Sequence, residues 1–76
     1  MKNLNLLRFL ATAFEVDKTT SVNFNTLAFD SGLSKEDLDQ GLNQLERERF
    51  IDQFVIADSN DFLLRVRQNV FNTLIN

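Results

Sequence analysis

The 76-residue sequence predicts an α+β, mostly helical fold: a single domain over 1–76 with a three-helix core, a small β-hairpin and a short C-terminal helix. Three observations carry that expectation. Leu38, Leu42 and Leu45 form a stripe at helical spacing behind Ser34, whose hydroxyl oxygen can accept from a free amide of the first turn. Gly32 stands just ahead of that cap, where a preceding helix would end in a left-handed turn. FIDQFVIA, residues 50–57, is rich in β-branched and aromatic residues and runs into the turn cluster Asp58-Ser59-Asn60-Asp61.

From the N-terminus, residues 4–14 place Leu4, Leu6, Leu7, Phe9, Leu10, Ala11, Ala13 and Phe14 on a helical arc of about 220°, where a one-sided surface helix needs little more than about 100°. Such a helix must be covered on two sides. EVDKTTS, residues 15–21, reads as a loop, and 22–24 as a very short strand. Asn25 is the expected N-cap of a short helix through TLAFDS that ends at Gly32. The next helix, 35–48, has Glu36 and Asp37 in its first turn, where the macrodipole favours negative charge. Gly41 lies beside its leucine stripe and costs about 1 kcal/mol against Ala, so it points to a closely packed neighbour. Residues 62–66 would pair back on 50–57 as a hairpin, followed by a helix over 68–75. A rival reading makes one helix of the whole stretch, because Phe62, Leu63, Val66, Val70 and Leu74 also share a face.

Composition excludes several kinds of chemistry. There is no Cys and no His, so thiolate nucleophiles, cysteine metal sites and the usual general base are all missing. Neither catalysis, a metal nor a cofactor is expected. No stretch reaches the roughly 18 uninterrupted apolar residues of a membrane span, and a cytoplasmic protein is expected. All eight aromatic residues are Phe, which supplies bulk without a polar handle, so they are expected in the core. Asp58-Ser59-Asn60-Asp61 is no calcium loop, because Phe62 and Leu63 stand where ligands and a Gly are needed. Glu36 and Asp37 read as helix-dipole partners rather than an acid/base couple.

Charge is unevenly spread. The net charge is −3, yet residues 28–61 alone hold nine acids against Lys35, Arg47 and Arg49.

The order of a short strand, a helix, a tight turn through Gly32-Leu33-Ser34, a helix with leucines 38, 42 and 45, and the apolar pair Phe50-Ile51 opening a hairpin resembles the winged helix-turn-helix superfamily. The resemblance is carried by "VNFNTLAFDSGLSKEDLDQGLNQLERERFI", residues 22–51, and rests mostly on core and turn chemistry, so it speaks to fold more than to function. It implies that the second helix of the motif could enter the major groove and that the hairpin, or wing, could touch phosphates. Lys35, Glu36, Gln40, Asn43, Gln44 and Arg47 would then face the bases, with 58–61 as the wing tip. Two positions depart from the pattern of DNA-binding members. Basic residues common near Gln40 and in the wing are replaced here by Gln40 and an acidic tip, and Arg49 stands where Gly often precedes Phe50.

Two functional expectations follow. In the first, a non-catalytic regulatory or adaptor module docks its acidic helix and wing onto a protein, with Lys35, Glu36, Asp39, Gln40, Asn43, Gln44 and Arg47 facing the partner. In the alternative, a dimeric DNA-binding transcriptional regulator reads the major groove with helix 35–48, while Arg8, Lys18, Arg65 and Arg67 hold phosphates. Leu6, Phe9, Ala13, Val70, Phe71 and Leu74 are the candidate contacts of a homodimer, although the chain's own C-terminal helix could cover the same apolar excess.

Overall fold

A computed structural model of the chain describes residues 3–56 and 59–74. Among them four helices and three strands follow in the order α1 (Leu4–Ala13), β1 (Thr19–Asn23), α2 (Phe24–Ser31), α3 (Lys35–Arg47), β2 (Ile51–Val55), β3 (Asp61–Val66) and α4 (Val70–Leu74). The strands form an antiparallel sheet in the order β1-β3-β2. Helices take up roughly half of the chain rather than most of it.

The local signals at the turns act as their chemistry requires. Ser34 Oγ accepts from Asp37 N–H at 3.1 Å and starts α3. Gly32 ends α2 in the left-handed region at φ 73°, and Leu33 N–H donates back to the Ala28 carbonyl. The cap of α2 is Asn23, not Asn25: its Oδ1 accepts from Thr26 N–H at 3.1 Å. Asn25 lies inside the helix, because β1 ends at Asn23, one residue sooner than the expected strand, and leaves Asn23 at the cap position in an extended conformation.

Strand β1 begins at Thr19, three residues before the expected short strand. Its polar Thr19, Thr20 and Ser21 pair opposite Arg65, Leu64 and Leu63, and β-branched residues suit a strand with one face in solvent. The rival helical reading of 62–74 is excluded for β3, which pairs on both edges and alternates buried Phe62, Leu64 and Val66 with less buried Leu63 and Arg65. Helix α4 is shorter than the expected 68–75 and begins at Val70. Ile75, the last apolar residue expected there, lies outside the described residues.

The core is one cluster of Leu7, Leu10, Leu38, Leu42, Leu45, Ile51, Leu64, Val66 and Val70, all with essentially no solvent exposure, together with their flanking residues. The broad apolar arc of α1 is covered on two sides, by this core and by α4, where Val70 is fully buried and Leu74 packs against the cluster. Gly41 lets α1 approach α3: a Cβ there would stand 2.7 Å from Leu6 Cδ2, closer than two carbon atoms can come without displacement.

At the far end of α3, Arg49 adopts φ 66°. Phe50 N–H donates to the Leu45 carbonyl and Arg49 N–H to the Glu46 carbonyl, the paired bonds of a Schellman turn. Arg49 therefore occupies the left-handed position usually given to Gly, and Asn69 Nδ2 holds its carbonyl at 3.1 Å. This turn aims β2 back along the sheet.

Candidate functional site

The leucine stripe of α3 points inward, and its opposite side faces solvent. Lys35, Glu36, Asp39, Gln40, Asn43 and Arg47 are exposed, and Gln44 is half-buried. These side chains are not equally free. Gln44 Nε2 donates to Glu48 Oε1 at 2.9 Å, and Asn43 Oδ1 accepts from Gln53 Nε2 at 3.3 Å. Glu46 is bound more firmly: Oε2 accepts from Gln53 N–H at 3.0 Å and Oε1 from Gln53 Nε2 at 3.3 Å. β2 is an edge strand, and this carboxylate covers one of its outward-pointing amides, a common defence against unwanted strand pairing.

Three of the four cations expected to hold phosphate, Lys18, Arg65 and Arg67, are paired with acids. Arg65 and Arg67 project from the sheet surface opposite the core, where acids meet them. Arg67 grips Asp52 with two hydrogen bonds, Nε to Oδ2 at 2.9 Å and Nη2 to Oδ1 at 2.8 Å. Arg65 lies 3.5 Å from Asp17 and 3.9 Å from Asp52, and its Nε is buried without a hydrogen-bond partner. The hydrogen bonds from Arg67 hold the Asp52 carboxyl below its ordinary pKa, against an opposing effect of burial, with further help from the charges of Arg67 and Arg65. The Arg67 guanidinium is correspondingly raised, chiefly by its hydrogen bond to Asp52. Lys18 faces Glu15 at 3.7 Å in an exposed pair of the kind that contributes little. Arg8 is exposed on α1 and makes no ion pair among the described residues.

The candidate dimer contacts divide in the same way. Leu6 and Val70 are buried in the chain's own core and are withdrawn from any outer face. Phe9 and Leu74 are partly buried against that core, whereas Ala13 and Phe71 are exposed.

The sequence reading missed the apolar surface of the hairpin. Phe54, Val55 and Ile56 are all exposed, with Val55 at 90%, and Phe29 on α2 is exposed at 86%. Not all Phe residues are core. A hint was present in the unbroken run Phe54-Val55-Ile56, which outlasts the alternation of a half-buried strand. The inner side of this hairpin and α3 enclose a notch of about 330 Å³, lined by Phe24, Asp39, Val55 and Phe62 among others, in which the Phe24 and Phe62 rings lie 6.4 Å apart. A second, larger groove of about 630 Å³ runs between α1 and α3, with Phe9, Leu33, Gln40, Asn43 and Arg47 on its walls. The wing tip named from sequence is only partly in view: Asp58 lies outside the described residues, while Ser59 Oγ accepts from Asp61 N–H and Asp61 Oδ1 accepts from Asn23 Nδ2.

No helix among the described residues is long and apolar enough to cross a membrane. No protein-family model, curated protein or solved structure matches the chain.

Proposed function

We propose that this chain is a non-catalytic winged helix-turn-helix module with a regulatory or adaptor role, which docks α3 and its wing onto a protein. The order α1-β1-α2-α3-β2-β3, the sheet order β1-β3-β2 and the Gly32-to-Ser34 turn between α2 and α3 support the winged-helix part of this reading.

One observation carries the choice of protein over nucleic acid: Arg65 of β3 and Arg67 just after the strand are already neutralised by Asp17 and Asp52. Proteins with steep salt dependence on DNA make about six to ten phosphate contacts, each releasing counterions. Here Lys2, Arg8, Lys18, Lys35, Arg47 and Arg49 are left, and Lys18 faces Glu15. Base reading by amides needs such contacts first, because phosphates position the protein before edges are compared. Asn43 and Gln44 also spend hydrogen-bonding capacity on Gln53 and Glu48. The exposed acids of α3 would oppose the approach of a polyanion and steer a basic surface inward.

A titration of labelled mixed-sequence duplexes at low salt tests this. The expected outcome is no binding. A shift that weakens steeply as salt rises would overturn the protein-docking reading in favour of a DNA reader using Gln40 and Arg47.

A further inference from the structure

The notch between α3 and the hairpin combines features that the acidic surface alone does not. Its walls include the rings of Phe24 and Phe62, and the nearly free side chain of Val55 stands at its edge. Across from the hairpin lies Asp39, exposed on α3 and without a hydrogen bond or ion pair among the described residues.

An apolar floor with a carboxylate at its rim suits a particular kind of side chain. Lys and Arg carry a long aliphatic stem and a charged head, and they gain by laying the stem on apolar surface while the head stays near water and an opposite charge. An aromatic pair beneath the stem adds attraction for the cation. The cations near the notch do not satisfy this demand. Arg65, the one cation within the described parts of β2 and β3, points to the other side of the sheet and is held by Asp17 and Asp52. Lys35 lies one turn before Asp39 but forms no ion pair with it. A second copy of this chain is a poor occupant, because each copy has net charge −3 and would present an acidic face to another.

We infer that this notch docks a basic segment of a partner protein, one Lys or Arg of which lays its stem over Val55 and the Phe24–Phe62 pair and brings its charge to Asp39. The inference rests on the protein-docking reading and gives it a site and a partner chemistry.

The test is a chemical-shift titration of the isotope-labelled full chain with blocked tripeptides Leu-Arg-Leu, Leu-Lys-Leu and Leu-Glu-Leu. The two basic peptides are expected to give saturable shifts at the amides of Asp39, Val55 and Phe62, and the acidic one none. Asp39→Lys should weaken the basic peptides by about three- to tenfold, since it removes an attraction and adds a repulsion. Val55→Ser should weaken them as well, and both positions are exposed, so the fold is kept. Equal shifts with the acidic peptide, or unchanged affinity in Asp39→Lys, would overturn the assignment. Shifts confined to the groove between α1 and α3 would also overturn it, while leaving docking through α3 intact. Duplex DNA shifting the α3 amides where the tripeptides shift nothing would remove both readings.

Discussion

Ile51 and Val55 are four residues apart on the same strand and similar in chemistry, yet the first has no solvent exposure and the second is 90% exposed. At its base the hairpin is fixed by several devices: Ile51 in the core, the Arg49 turn, the Glu46 carboxylate on Gln53 N–H, and the Asp52–Arg67 pair on the outer face. Towards its far end, among the described residues, the hydrogen bonds from outside the hairpin come from β1 and the start of α2, through the strand ladder, Asn23 to Asp61, and Phe24 N–H to the Asn60 carbonyl. The contrast teaches that one strand can be core at its start and recognition surface at its end. What separates the two is whether the core packs against the side chain or leaves an open notch beside it.

The sharpest way to break that comparison is to truncate its buried end. Ile51→Ala is expected to cost about 2–5 kcal/mol in chemical denaturation, the range for removing a fully packed aliphatic side chain. A cost below about 0.5 kcal/mol would mean the base is no more committed than the tip. Asn23→Ala comes next, with an expected loss of about 1–2 kcal/mol, because it removes the cap of α2 and the tie to Asp61 together. Asn25→Ala, at the position first expected to cap, should change stability by no more than about 0.5 kcal/mol.

The remaining tests concern smaller effects. Arg49→Gly should stabilise the fold by about 0.5–1 kcal/mol: relief from a left-handed conformation is worth about 1–2 kcal/mol, and the freer unfolded chain takes back part of it. A lower melting temperature for that variant would show that the side chain of Arg49 matters more than its backbone. Asp52→Asn probes the outer face through pH. Because the folded carboxyl titrates below its unfolded value near about 3.9, its contribution is present above that pH and is lost as pH falls through the folded pKa. The stability gap between wild type and Asp52→Asn should therefore be widest above about pH 4 and close as pH falls further. A gap constant across the acid range would place the effect in packing instead. The smallest expected change is at the exposed end, where Val55→Ser should leave stability within about 0.5 kcal/mol of wild type. A larger loss would mean that the tip, too, is held by packing.

Much of the fold was legible because it rests on short-range chemistry. Ser34, Gly32 and the stripe of Leu38, Leu42 and Leu45 each report on neighbours within one or two turns, and all three behave as their residue types dictate. Gly41 was legible for a different reason: its cost in a helix implies a compensating close approach, and Leu6 is the residue that approaches. The choice between Asn23 and Asn25 was not legible, since both carry the same capping chemistry two residues apart and only the residue at which β1 ends separates them. For the surface, the exposed face of α3 followed from periodicity. The apolar hairpin end did not, because a run such as Phe54-Val55-Ile56 reads alike whether another element covers it or not.

By itself, then, the sequence determined where α2 stops and α3 starts, which face of α3 turns inward and how acid is distributed along the chain. Only the tertiary structure decided which charges cancel and which apolar residues stay uncovered. Asp17 meets Arg65 and Asp52 meets Arg67 through the strand register, which couples positions far apart in the chain. Capping and amphipathicity act over a few residues and can be read from neighbours, whereas neutralisation and exposure depend on which distant segment arrives alongside.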